Sequence, residues 1–97
     1  MVNIIGQAAA LEMLAEECSE LAQAALKLAR VIRDENPASI SEDHAQGDVM
    51  EELADVLVCS EYLDEMEWFK PEIVSHCMKV KKRRAHERLM GKPCQVG

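Results

Sequence analysis

Leu11, Leu14, Cys18, Leu21, Ala25, Leu28 and Ile32 recur at alternating spacings of three and four. Only a helix gathers residues so spaced onto one face. The pattern predicts a helix from about Gln7 to Arg33. Pro37, preceded by Asp34, Glu35 and Asn36, marks its exit. A second row, Val49, Glu52, Val56, Cys59, Leu63 and Met66, has the same spacing. It predicts a helix that starts between Ser41 and Asp48 and ends near Met66. Ser39 with Glu42 three residues on resembles a capping box, whereas Gly47 weakens any helix passing through it. A third helix is expected from Lys70-Pro71 to about Met90. Pro71 suits the first helical position, Gly91 suits a C-terminal stop, and Pro93 lies beyond it. Aromatic residues make up only 3% of the chain, which disfavours a sheet. The expected fold is all-α, a three-helix chain in one domain spanning 1–97. So small a domain has a thin core, and association into a dimer or larger assembly is expected.

Some acids fall where apolar residues belong. Beside the main seam of the first helix runs the row Met13, Glu17, Glu20, Ala24, Lys27, Val31. It is apolar at both ends and interrupted by Glu17, Glu20 and Lys27. Glu52 interrupts the stripe of the second helix, and Asp55 borders it one turn away. Glu17 with Glu20, and Glu52 with Asp55, are spaced i, i+3, which puts each pair on one helical face. An unpaired carboxylate inside a bundle is costly or becomes protonated. Lys27 is one cation against four acids, so a divalent metal is the economical counter-charge. Neither His44, His76 nor His86 follows an acid by three residues, which disfavours the Glu-x-x-His pattern of di-iron bundles. An all-oxygen donor set suits Mg²⁺, with Mn²⁺ as a substitute.

The formal net charge is −7, which argues against binding a nucleic-acid polymer through its backbone. The charge is divided unevenly. Residues 1–69 carry 3 Lys/Arg against 16 Asp/Glu, and residues 70–97 carry 8 against 2. Cys18, Cys59, Cys77 and Cys94 include no C-x-x-C pair and are expected to be free thiols of a reducing compartment. No basic residue precedes Lys27, so the start does not read as a secretory signal. No apolar run approaches the length of a membrane span. A cytoplasmic protein without membrane contact is expected.

The segment Glu16-Glu17-Cys18-Ser19-Glu20, followed by Glu52-Leu53-Ala54-Asp55, resembles the E-E-x-x-E … E-x-x-D signature of the MazG-like nucleoside triphosphate pyrophosphohydrolases. The stretches AEECSELAQAALKLAR and EELADVLV are similar to that family's first two core helices, and KVKKRRAHERL to its basic third. The likeness covers about residues 10–90. The connection Asp34–Gly47 is longer than is usual in the signature. The resemblance implies a four-helix-bundle-type dimer or tetramer and Mg²⁺-dependent cleavage of nucleoside triphosphates to the monophosphate and pyrophosphate, as in nucleotide-pool housecleaning. It implies Glu17, Glu20, Glu52 and Asp55 as metal ligands. Glu16 matches the leading acid, and Glu16 or Glu17 is the candidate general base. Lys79, Lys82 and Arg83, along one face of the third helix, are candidates to hold phosphates, as is Lys27. Tyr62 and Trp68 are the residues able to stack on a base.

Two other readings are open at this level. A phosphoribosyl-ATP pyrophosphohydrolase shares a related acid pattern and reaction. A non-catalytic helical interaction module would account for the apolar rows and would bind no metal.

Overall fold

The structure, a computed structural model, describes residues 1–35 and 40–91. Among them every regular element is helical: α1 (Val2–Ile5), α2 (Gln7–Ile32), α3 (Glu42–Glu61), a 3₁₀ turn (Tyr62–Glu65) and α4 (Pro71–Leu89). The all-α expectation holds. The short α1, set off from α2 by Gly6, was not expected. The chain divides into two compact units, Met1–Glu67 and Trp68–Gly97.

In the first unit α2 and α3 pack along each other as an antiparallel hairpin. Their termini are set by local chemistry. The Ser41 hydroxyl accepts the His44 N–H at 3.1 Å and caps α3. Glu42 and Asp43 then complement the positive end of the helix. The capping residue is therefore Ser41; Ser39 and Pro37 lie outside the described residues. At the end of α2, Asp34 adopts φ 59°. Glu35 N–H donates to Arg30 C=O at 2.8 Å and Asp34 N–H to Val31 C=O at 3.1 Å. This paired pattern is a Schellman ending, in which the left-handed position favours glycine. At the end of α4 the corresponding position is Gly91, with φ 69°. Asp34 bears a side chain where Gly91 bears none. Asp34→Gly is expected to raise stability by about 0.5–1 kcal/mol, read as a shift in the urea midpoint.

The contact between α2 and α3 follows a particular pair of rows. On α2, Ala10 and Ala24 are buried, and Leu14, Glu17, Leu21, Leu28 and Val31 are half-buried. On α3, Ala45 and Cys59 are buried and Val49, Glu52 and Val56 half-buried, with Leu63 half-buried and Met66 buried beyond. The second row is the one expected from the sequence. The first is displaced by one position: Leu11, Cys18, Ala25 and Ile32 are exposed, and only Leu14, Leu21 and Leu28 of the expected seam meet α3. α2 is apolar over an arc wider than one contact can cover, so periodicity located the middle of the arc and not the edge in use. α1 packs on α2, with Val2 buried. Glu65 Oε1 accepts from the Val2 N–H and from the Met1 amine, each at 2.9 Å.

The second unit holds α4. Lys70 is extended (φ −121°, ψ 98°), as the residue before a proline should be, and Pro71 opens the helix. Trp68 and Phe69 pack edge to face, their centroids 6.3 Å apart. Cys18, Cys59 and Cys77 are free thiols; Cys94 lies outside the described residues. No described helix is long and apolar enough to cross a membrane.

Candidate metal centre

Antiparallel packing brings the two acid pairs to the same level of the hairpin. Glu17 and Glu20 stand one turn apart on α2 and meet Glu52 across the groove. One carboxylate oxygen from each of these three residues lies within 4.8 Å of the others. Glu17 and Glu52 are half-buried because each occupies a position in the contact row, flanked by Leu14 and Leu21 or by Val49 and Val56. Glu20 lies at the edge and is exposed. Glu17 Oε2 and Glu52 Oε2 are out of contact with solvent and have no hydrogen-bond partner.

This crowding has an electrostatic consequence. Burial, followed by the charges of Glu20 and Asp55, pushes the Glu17 carboxyl above its ordinary value. Burial and Glu20 do the same to Glu52, with smaller contributions from Asp55 and Glu17. Loss of solvation and like-charge repulsion both disfavour the ionised form. Asp55, exposed, stands outside the tight group of three, yet its charge reaches Glu17, Glu52 and Cys59. Burial, Glu17 and Asp55 likewise push the buried Cys59 thiol up. Glu16 is exposed on α2 and adds to the repulsion at Glu17.

A cleft of about 330 Å³ opens from the carboxylates along the groove, lined by Glu20, Gln23, Ala24, Lys27, Asp48 and Glu52. The buried methyl of Ala24 leaves room that a longer side chain would fill. Lys27, half-buried, brings a cation into this acidic channel. Gln23 and Asp48 were not singled out in the sequence. Their signal was present: Gln23 follows Glu20 by three residues and Asp48 precedes Glu52 by four, so both lie on the faces of the motif acids.

Three carboxylates, two of them with a shielded and unpartnered oxygen, form an all-oxygen donor set of the kind that hard divalent cations take. The residues fit Mg²⁺ or Mn²⁺ and offer no soft donor within the group of three. Lys79, Lys82 and Arg83 are exposed along α4 in the second unit. No protein-family model, curated protein or solved structure matches this chain.

Proposed function

We propose that the protein is a Mg²⁺-dependent nucleoside triphosphate pyrophosphohydrolase, releasing pyrophosphate and the nucleoside monophosphate. The observation that carries this reading is the pair of solvent-shielded, unpartnered oxygens of Glu17 and Glu52 within a group of three carboxylates. Such a group is costly to fold unless a cation completes it. The order and spacing of the acids, which resemble the pyrophosphohydrolase signature, supply the reaction class.

Glu17, Glu20 and Glu52 would hold the metal, with Asp55 at its edge. When bound, Mg²⁺ supplies charge neutralisation for the polyphosphate, a more acidic water and stabilisation of the pyrophosphate leaving group. Glu16 or Glu17 would take a proton as water attacks the α-phosphorus and the bond to the β-phosphate breaks. Lys27 lies in the cleft beside the carboxylates, where its ammonium can hold a phosphate oxygen. Lys79, Lys82 and Arg83 are further candidates for the β and γ phosphates.

The deciding experiment is pyrophosphate release from a panel of canonical and modified nucleoside triphosphates, with Mg²⁺ and with EDTA. Metal-dependent release together with the matching monophosphate supports the reading. Absence of release from every member, by a protein whose circular dichroism shows it folded, refutes it. Among the cleft residues, Lys27→Ala is expected to lower kcat/KM by about tenfold or more, since a hydrogen bond to a charged group contributes roughly 1.5–3 kcal/mol.

A further inference from the structure

The cleft beside the three carboxylates is larger than a cation needs. Its volume is about 330 Å³, and one water takes roughly 30 Å³, so a hydrated ion fills only part of it. Beyond the acids it is lined by Gln23 of α2 and Asp48 of α3. Gln23 follows Glu20 by three residues, and Asp48 precedes Glu52 by four. In an antiparallel hairpin, a step forward on one helix and back on the other keeps the two side chains at one level. Gln23 and Asp48 therefore share the level one turn from Glu20 and Glu52, about 5 Å along the axis. Ala24 and Lys27 line the same stretch.

We propose that this stretch is a ribose subsite, in which Asp48 and Gln23 bind the 2′- and 3′-hydroxyls of a ribonucleotide. The proposal rests on the hydrolase reading, which puts the phosphates on a cation held by the carboxylates, and it names the sugar of the substrate. Three parts of a nucleotide could fill the cleft, and its lining separates them. A carboxylate accepts hydrogen bonds and donates none, as do phosphate oxygens. Asp48 therefore opposes a polyphosphate chain and needs a ligand that donates. Its ion-pair partner among the described residues is His44, whose Nε2 lies 3.7 Å from Oδ2, and not the Lys27 of the cleft.

A base brings donors, but its flat faces are held by stacking on aromatic side chains. Among the described residues no aromatic side chain lines the cleft, and Ala24 is its apolar one. A sugar matches on both counts. Its hydroxyls donate to Asp48, and they donate to or accept from the Gln23 carboxamide, which does both. Its small C–H surface suits the Ala24 methyl. Covalent order agrees with this placement. The sugar is the group joined to the α-phosphate, so it lies next to the metal, one turn along the groove. Lys27, in the same stretch, then meets a phosphate oxygen of the same nucleotide.

The test compares kcat/KM for a ribonucleoside triphosphate with its 2′-deoxy and 3′-deoxy counterparts, on the canonical base that is cleaved fastest. Pyrophosphate release is followed in Mg²⁺ for the native chain, Asp48→Ala and Gln23→Ala. For the native chain, loss of the hydroxyl that meets Asp48 is expected to lower kcat/KM about tenfold or more, the effect of a hydrogen bond to a charged group. Asp48→Ala should lose a similar factor on the ribonucleotide and almost nothing on that deoxy counterpart, so the preference for ribose collapses. Gln23→Ala should weaken the preference by roughly a few-fold, as for a neutral hydrogen bond. A residue that only supports α3 would lower turnover of all three sugars alike. A native chain that cleaves both deoxy counterparts as well as the ribonucleotide overturns the proposal. So does a preference that Asp48→Ala leaves unchanged. Either result leaves the hydrolase reading standing, whereas no release from any of the three sugars by a folded chain removes both.

Discussion

Glu52→Gln is expected to abolish Mg²⁺-dependent pyrophosphate release while making the metal-free protein more stable. The two effects have one origin. Glu52 sits in the apolar row of α3 with one oxygen shielded and unpartnered, and its ionised form is opposed by burial and by Glu20. Gln has nearly the same shape and no charge, so the repulsion and much of the desolvation cost vanish. The variant's melting temperature in EDTA should therefore exceed that of the native chain. The same change removes an anionic oxygen from the donor set. Loss of an outer-shell partner typically costs 10–100-fold in metal affinity, roughly, and loss of a direct ligand is expected to cost more. Isothermal titration with Mn²⁺ and the pyrophosphate assay read this arm. A variant that melts lower in EDTA than the native chain would show that Glu52 serves packing or an internal hydrogen bond. One that retains metal affinity and turnover would remove it from the centre.

Much of this arrangement was legible in the sequence, for physical reasons that also explain the rest. The row on α3 from Val49 to Met66 is the one that meets α2, although α3 also carries the exposed apolar residues Met50, Leu53 and Leu57. α2 is apolar over a broad arc, so periodicity left its rotation open by one position. The acid pairs were recognisable because carboxylates interrupt apolar rows at Glu17 and Glu52, where burial is costly. By spacing alone Asp55 is the equal of the other three. The structure places Glu17, Glu20 and Glu52 together and leaves Asp55 outside that group. A spacing of i, i+3 fixes the face but not which member leans across the groove. Gln23 and Asp48 escaped notice because polar residues on an exposed helical edge are common, and only the partner helix turns them into a lining. The cap at Ser41 was displaced from the expected Ser39 because Ser, Glu and Asp occur at several offsets in that connection, each able to satisfy a helix N-terminus.

The stability of the metal-free protein is expected to fall as pH rises above the ordinary glutamate value of 4.5, and Mg²⁺ is expected to reverse that fall. The sign follows from proton linkage. Glu17 and Glu52 hold their protons more tightly in the folded state than in the unfolded state. Between the ordinary value and the raised one, the folded chain therefore binds more protons, and stability declines with increasing pH. Below 4.5 both states are protonated and the cost is absent; above the raised values it is complete. Glu65 works on the opposite side of the same boundary. Its hydrogen bonds to the Met1 amine and the Val2 N–H hold its pKa below the ordinary value, so its contribution is present above 4.5 and is lost as pH falls below it. In EDTA the melting temperature should therefore pass through a maximum near the ordinary carboxylate range. A bound divalent cation favours the ionised carboxylates and stabilises the folded state alone, so in saturating Mg²⁺ the decline on the alkaline side should disappear. Glu17→Gln should flatten part of the alkaline decline in EDTA without affecting the acid limb set by Glu65. An alkaline decline that persists unchanged in saturating Mg²⁺ and Mn²⁺ would mean that the carboxylates repel one another without serving as ligands. That result would argue against a metal centre even if the protein proved to be helical throughout.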